Sequence, residues 1–98
     1  MKKIYISGAI SSRPIHEAEA HFKAAQLRLL VIGYDCINPM EISPYSQEKT
    51  WEDYMRNDIK HLMDCQAIYM LRGWWKSRGA RVEWWLAKKL GMEVIYEK

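Results

Sequence analysis

Hydrophobic and polar positions follow two different periods along this chain. Short β-rich runs predict four strands, and apolar residues three and four positions apart predict three helices between them. The strands are predicted at Lys3–Ser7, Tyr34–Asn38, Gln66–Leu71 and Glu93–Tyr96. The helices are predicted at Ile15–Ile32, at Trp51–Asp64 and from Ser77 to Leu90, with Gly33 and Gly91 as stops after the first and third.

One face of each helix is predicted to be buried. The apolar positions of the first helix are Phe22, Ala25, Leu29 and Ile32; those of the second are Trp51, Tyr54, Met55, Ile59, Leu62 and Met63; those of the third are Trp84, Leu86, Ala87 and Leu90. Residues 39–50 contain two prolines and two serines, and they predict a surface loop that could act as a lid over a site.

Strand–helix alternation predicts an α/β fold with right-handed crossovers. We expect a Rossmann-like or flavodoxin-like three-layer sandwich, in which a four-stranded parallel sheet of order 2-1-3-4 carries helices on both faces. Gln66–Leu71 is almost wholly apolar, which is typical of a central strand. The chain has no internal repeat and no linker composition, so residues 1–98 are predicted to form a single domain.

This topology also predicts where a ligand would bind. In open parallel sheets, ligands lie beyond the carboxyl ends of the strands where the strand order reverses, here between strands one and three. The loops that meet at this point are residues 7–13 and 72–81. The second loop contains four cations and no acid: Arg72, Lys76, Arg78 and Arg81. An anionic substrate is therefore expected at this edge.

Glu83 is the first candidate catalytic residue. It shares a helix face with Ala80, Ala87 and Leu90, whereas a solvated Glu would lie on the opposite face. An inward-facing acid close behind a Gly and several cations suits chemistry on an anionic substrate. The alternative is a first-turn Glu that the helix dipole favours.

Asp58 is a second acid on an apolar face, which it shares with Met55 and Leu62. Such an acid needs a partner or a raised pKa. Two inward acids on two helices can divide the roles of nucleophile and proton donor. The alternative is that a buried hydrogen bond ties Asp58 to a loop. Tyr5, at the end of strand one, can reach either acid or belong to the core.

Several further residues are candidates for substrate binding. Gly8 and Ser11 offer backbone and hydroxyl donors to a phosphate, although these residue types also form ordinary turns. Ser77 is a helix N-cap, a phosphate ligand or both. Trp74 and Trp75 lie in the basic loop, where they can stack on a base.

Composition narrows the class of protein. A hydrophobic fraction of 49% indicates a folded domain, and no apolar run approaches the ~20 residues of a membrane span. The net charge of +3 is small, which argues against nucleic acid as a partner. Cys36 and Cys65 lack metal-ligand spacing and are typical of a reduced, cytoplasmic protein. The three histidines have no metal-binding partners at suitable spacing either, so no metal and no cofactor is predicted.

Four segments together resemble the nucleoside 2-deoxyribosyltransferase-like superfamily, especially its short bacterial and phage members. These segments are Lys3–Gly8, Asn38-Pro39, Tyr54–Ile59 and the stretch from Gly73 to Glu83. The resemblance implies that Glu83 is the nucleophile that attacks C1′ of a sugar, that Asp58 positions the substrate and assists departure of the base, and that Tyr5 hydrogen-bonds the nucleophile.

Within this superfamily the chain is most similar to the 2′-deoxynucleoside 5′-monophosphate N-glycosidases. These hydrolases have a phosphate-contacting Ser at the position of Ser77, where the transferases have an Asp. The resemblance implies a homodimer or higher homo-oligomer. It also implies a substrate and phosphate site formed by Gly8, Ile10, Ser11, Trp74, Ser77, Arg78 and Gly79.

The sequence therefore predicts an N-glycosidase that cleaves the base–sugar bond of a (deoxy)nucleoside 5′-monophosphate, with deoxyribosyl transfer when a second base outcompetes water. One alternative is a nucleotide-binding module without turnover, which Arg81 favours because many active relatives have a Gly at that position. A further alternative is binding of single-stranded nucleic acid by the Trp/Arg loop, which the modest net charge disfavours.

Overall fold

The structure is a computed structural model that describes residues 2–98. Within these residues the chain forms four strands, four α-helices and one 3-10 helix. The strands are β1 (Lys3–Ser7), β2 (Asp35–Ile37), β3 (Ala67–Met70) and β4 (Glu93–Tyr96). The α-helices are α1 (Ile15–Val31), α2 (Pro39–Ile42), α3 (Trp51–Leu62) and α4 (Arg78–Lys89), and the 3-10 helix spans Trp74–Lys76.

The strands form one parallel sheet in the order β2-β1-β3-β4. Tyr5 on β1 lies opposite Ile37 on β2 and Ile68 on β3. The predicted α/β fold and strand order are confirmed. Because β1 and β3 are the two central strands, the loops that follow them meet at the predicted switch point.

The side chains of β1 divide the core into two layers. Ile4 and Ile6 pack with Phe22 and other residues of α1 on one face of the sheet. Tyr5 packs on the other face with residues of α3 and α4, including Leu62 and Ala80. This division follows from the two-residue period of a strand, which sends neighbouring side chains to opposite faces.

The prediction of a surface loop over residues 39–50 is wrong for its first part. Asn38 accepts a hydrogen bond from the Met40 backbone N–H through its side chain, and Pro39 occupies the first turn of the short helix α2. Pro39 and Ser43 are buried. A proline at the start of a helix loses no intrahelical hydrogen bond, so Asn38-Pro39 begins a helix here.

Four predicted core positions are exposed: Ile32, Trp51, Met63 and Leu90. Trp51 is the first residue of α3, and the other three are the C-caps of α1, α3 and α4. The sheet covers the middle of each helix, whereas the ends of the helix extend past it. Apolar residues at the end positions therefore continue the sequence period but are exposed. In residues 2–98, no helix combines the length and the apolar composition needed to cross a membrane.

Candidate active site

Glu83 is buried on α4 at the carboxyl end of β1, with 5% of its surface exposed. Both of its carboxyl oxygens are held by hydroxyl groups of that strand. The Tyr5 hydroxyl donates to Oε2 at 2.7 Å, and the Ser7 hydroxyl donates to Oε1 at 2.7 Å. The predicted contact between Tyr5 and Glu83 is confirmed.

Burial has the largest effect on the pKa of Glu83. It raises the pKa of this carboxyl group from 4.5 to about 8, although the hydrogen bonds from Ser7 and Tyr5 lower it. The negative charge of Asp58 adds to the increase. The pKa of Tyr5 is raised well above its ordinary value by burial and by the neighbouring Glu83, so its hydroxyl stays protonated and remains a donor.

Asp58 is the second buried carboxyl group, on the adjacent helix α3. Its Oδ1 atom accepts a 2.7 Å hydrogen bond from the hydroxyl group of Ser43, which directly follows α2. Burial raises the pKa of Asp58 from 3.8 to about 6, while the Ser43 hydrogen bond and the charges of His61 and Lys49 lower it. The predicted alternative, a buried hydrogen bond from a loop, is therefore present in the structure.

The two carboxyl groups interact electrostatically, because the negative charge of Asp58 raises the pKa of Glu83. With pKa values of about 6 and about 8, the pair holds about one proton near neutral pH. At these values Asp58 is mostly ionised and Glu83 mostly protonated, so the two groups differ in charge in the unliganded protein.

Sequence reasoning missed Ser7 as a site residue, although a signal for it was present. Tyr5 and Ser7 are two positions apart on β1, and residues with this spacing lie on the same face of a strand. Once Tyr5 was assigned as a partner of Glu83, the same strand register would have placed Ser7 next to Glu83 as well. Ser43 was missed because residues 39–50 were predicted to be a surface loop.

The N-terminal parts of α3 and α4, the helices that carry the two acids, are in close contact. The guanidinium group of Arg78 stacks on the ring of Trp51, 3.7 Å from its centroid. The next residue, Gly79, packs against Met55: a Cβ atom at this position would lie 3.0 Å from the Met55 sulfur. Gly79 thus permits a close approach of the two helices that carry Glu83 and Asp58.

Four further residues that were predicted to bind substrate lie in different environments. Gly8 follows β1 and is buried, and a Cβ atom there would lie 2.8 Å from Leu71. Ile10 packs against the core layer of α1 and thus away from Glu83, whereas Ser11 is exposed. The hydroxyl group of Ser77 accepts a hydrogen bond from the Ala80 N–H, which confirms the predicted N-cap.

Trp74 belongs to an aromatic cluster beside this site. Its ring stacks on Trp84 with 5.3 Å between centroids, and it lies 6.4 Å from the ring of Tyr96. One face of Trp74 is therefore occupied. Trp75 is exposed and meets Trp74 edge-on, and its backbone carbonyl accepts a hydrogen bond from Arg81.

A further carboxylate, Glu97, holds together the opposite face of the sheet. It accepts hydrogen bonds from the Arg72 N–H and from Arg28, and one of its oxygens lies 2.8 Å from Nε2 of His21. Burial raises its pKa, but the donors from Arg72 and His21 outweigh this effect, and the pKa of Glu97 lies below its ordinary value. Over residues 2–98, no three His, Cys, Asp or Glu side chains are grouped closely enough to hold a metal ion.

The fold and this geometry define the class of protein: a parallel α/β domain with a pair of buried carboxyl groups beside its topological switch point. The chain belongs to the family described as a domain of unknown function, DUF4406, whose model matches residues 2–96. No curated protein sequence shows a significant match.

Among solved structures, the chain is similar to a 2-deoxyribosyltransferase from the psychrotolerant bacterium Bacillus psychrosaccharolyticus, which is described as a biocatalyst for the synthesis of antiviral and antitumoral nucleosides. The TM-score is 0.75 at 21% sequence identity, and the match covers 96% of this chain and 70% of the other. The chain therefore shares the fold of this transferase, which is the fold that the resemblance to the nucleoside 2-deoxyribosyltransferase-like superfamily implied.

Proposed function

We propose that this protein is an N-glycosidase that cleaves the base–sugar bond of a (deoxy)nucleoside 5′-monophosphate, with transfer of the sugar to a second base when that base outcompetes water. The observation that carries the proposal is the buried Glu83 carboxyl group. Both of its oxygens are fixed by hydroxyl donors, and a second buried acid lies nearby on α3.

In the first step, an oxygen of ionised Glu83 attacks C1′ of the sugar. The C1′–N bond breaks, its electron pair goes to the base, and protonated Asp58 gives its proton to the base. In the second step, water attacks C1′ of the glycosyl–enzyme ester. The ester oxygen returns to Glu83 as a carboxylate, and the proton of the water passes to Asp58, which restores the starting state.

The hydroxyl groups of Tyr5 and Ser7 orient the nucleophile during both steps. Two donors at 2.7 Å leave the Glu83 carboxyl group little freedom to rotate. They also stabilise its ionised form against the effect of burial. A nucleophile held in this way loses little entropy on the way to the transition state.

The cations at the N-terminal end of α4 favour a phosphorylated substrate. Arg78 and Arg81 lie in the first turn of a helix whose dipole also attracts anions. Ser77 caps this helix, and the exposed Ser11 follows β1 at the same edge of the sheet. In the proposal Ser11, Ser77 and Arg78 hold the phosphate, and Arg78 leaves the Trp51 ring to do so.

A specific observation favours the second candidate, a nucleotide-binding module without turnover. Burial raises the pKa of Glu83 to about 8, so this group is mostly protonated in the unliganded protein at neutral pH. A protonated carboxyl group is not a nucleophile. The proposed glycosidase mechanism therefore requires that, once substrate is bound, Glu83 is ionised and the proton lies on Asp58.

We further propose that the protein forms a homodimer or a higher homo-oligomer. The groove between α3 and α4 has a volume of about 550 Å³ and an apolar lining that includes Met55, Ile59 and Val82. Trp85, further along α4, is 54% exposed. Light scattering of the purified protein measures the mass directly, and a mass of 11.7 kDa at micromolar concentration would contradict the oligomer.

Chromatography of nucleotide reactions tests the glycosidase. A panel of deoxy- and ribonucleoside 5′-monophosphates is incubated with the wild type, with Glu83→Gln and with the matched control Glu19→Gln, which changes an exposed Glu on α1. We expect free base from the wild type and the control but not from Glu83→Gln. Nucleotide binding without release of base would favour the binding module, and equal rates for all three proteins would refute the mechanism.

A further inference from the structure

The hydroxyl group of Ser43 makes two hydrogen bonds whose directions can be assigned. A hydroxyl group has one proton to donate, and its oxygen can also accept. Ser43 Oγ lies 2.7 Å from Asp58 Oδ1 and 2.8 Å from Nδ2 of Asn57. The amide nitrogen of Asn57 can only donate, so the single proton of Ser43 is directed at Asp58.

A second contact fixes the orientation of the Asn57 amide. Its Nδ2 atom also lies 2.9 Å from the backbone carbonyl oxygen of Ile42, which can only accept. The two amide protons therefore serve Ile42 and Ser43. A flipped amide would place its oxygen against the Ile42 oxygen, which is unfavourable, so Asn57 has only one orientation in this site.

The two oxygens of Asp58 consequently differ. Oδ1 accepts the proton of Ser43, whereas Oδ2 has no hydrogen-bond partner among residues 2–98. In the same part of the chain, no fully buried polar side-chain atom lacks a partner, so Oδ2 remains accessible to solvent. A proton on Asp58 is best placed on Oδ2, because the carbonyl oxygen of a carboxylic acid is the better acceptor for Ser43.

We propose that Ser43 and Asn57 are positioning residues, which fix the orientation of the Asp58 carboxyl group and leave Oδ2 as the oxygen that gains and loses the proton. The consequence for catalysis rests on the proposed function: Oδ2 would be the atom that protonates the leaving base. The hydrogen-bond arrangement itself does not depend on that function.

The other charged and titratable groups that act on Asp58 are also known. Glu83 on α4 and Tyr5 on β1 interact with it electrostatically. His61 lies one turn further along α3, where its Nδ1 atom bonds to the backbone oxygen of Asn57, and Lys49 precedes α3. A titration of Asp58 therefore has to be compared between variants that leave these groups unchanged.

NMR titration of protein labelled with ¹³C at the aspartate carboxyl groups tests the proposal without any substrate. Ser43→Ala removes the donor to ionised Asp58 and should raise the midpoint of its titration by about one pH unit. Asn57→Ala frees the Ser43 hydroxyl group to turn away and should raise the midpoint in the same direction. In the Ser43→Ala background, Asn57→Ala should have no further effect, because Asn57 acts through Ser43.

Two variants serve as controls in the same titration. Ser43→Thr keeps the hydroxyl group and should restore the wild-type midpoint. Ser46→Ala changes a nearby serine whose hydroxyl group accepts a hydrogen bond from the Glu48 N–H, and it should not shift the Asp58 midpoint. An unchanged midpoint in folded Ser43→Ala would overturn the proposal, and so would an equal shift by Asn57→Ala in both backgrounds.

The pH dependence of nucleotide cleavage then separates this proposal from the proposed function. We expect the profile of Ser43→Ala to move with the NMR midpoint and that of Ser43→Thr to stay in place. If the wild type cleaves no nucleotide but the NMR shifts appear, the glycosidase is refuted and the positioning of Asp58 stands. If cleavage occurs and the NMR shifts are absent, the positioning proposal alone is refuted.

Discussion

Replacement of Glu83 by Gln should stabilise the protein, by an amount that increases with pH. In the wild type, the folded state holds a carboxyl group whose pKa burial raises from 4.5 to about 8. The proton on Glu83 contributes to the unfolding free energy. This contribution is fully present below about pH 4.5, and it is lost as the pH rises through about 8. An amide never ionises, so Glu83→Gln escapes this loss.

The pKa shift sets the size of the effect. The difference between 4.5 and about 8 corresponds to about 5 kcal/mol of unfolding free energy above pH 8. The introduced amide can keep both hydrogen bonds, because its oxygen accepts from one hydroxyl group of Tyr5 and Ser7 and its nitrogen donates to the other. Even half of this free energy would raise the unfolding midpoint of a 98-residue domain by about 10 °C.

Circular dichroism measures this effect during thermal unfolding at pH 5 and pH 9. We expect the midpoints of the wild type and Glu83→Gln to lie close together at pH 5 and to separate at pH 9. The exposed control Glu19→Gln should follow the wild type at both values. A difference between Glu83→Gln and the wild type that is the same at both pH values would refute the raised pKa and the role of burial in it.

Further predictions concern activity and packing. Cleavage should follow a bell-shaped pH profile between about 6 and about 8, because Asp58 and Glu83 must share one proton; a rate that keeps increasing above pH 9 would exclude Asp58 as the acid. Glu97→Gln should lower the unfolding free energy by about 1–2 kcal/mol at pH 7, as measured in urea. Since the pKa of Glu97 lies below 4.5, that loss should vanish only as the pH falls below this value. Gly8→Ala should cost about 1–3 kcal/mol in the same assay, because the new methyl group would lie 2.8 Å from Leu71.

The fold was predictable because its signals are repeated along the chain. A helical period follows each of the first three strands, Gly33 and Gly91 mark the ends of two helices, and the handedness of parallel crossovers leaves few strand orders to choose from. The same periods placed Glu83 and Asp58 on buried faces, as the structure shows. Periodicity could not show that Leu90 is exposed, because it does not reveal how far the sheet covers a helix.

The hydrogen-bond partners of the two acids were less predictable. The contact of Ser7 with Glu83 can be predicted from that of Tyr5, because residues two positions apart on a strand lie on the same face. Ser43, in contrast, reaches Asp58 only because α2 turns the chain back towards α3. A helix of four residues leaves no period to detect. The sequence signal for this helix was the capping pair Asn38-Pro39. The proline and serines that follow indicated a loop more strongly.

The hydrogen bonds that hold Glu83 join it to Tyr5 and Ser7, which are 78 and 76 positions away in the chain. Contacts between such distant residues are costly in entropy, because the chain must close a long loop before they are made. Until α4 docks on β1, Glu83 remains in water and is ionised above its ordinary pKa of 4.5. Docking of α4 between about pH 5 and pH 8 therefore includes the uptake of a proton, which couples the assembly of this helix with the sheet to the pH of the solution.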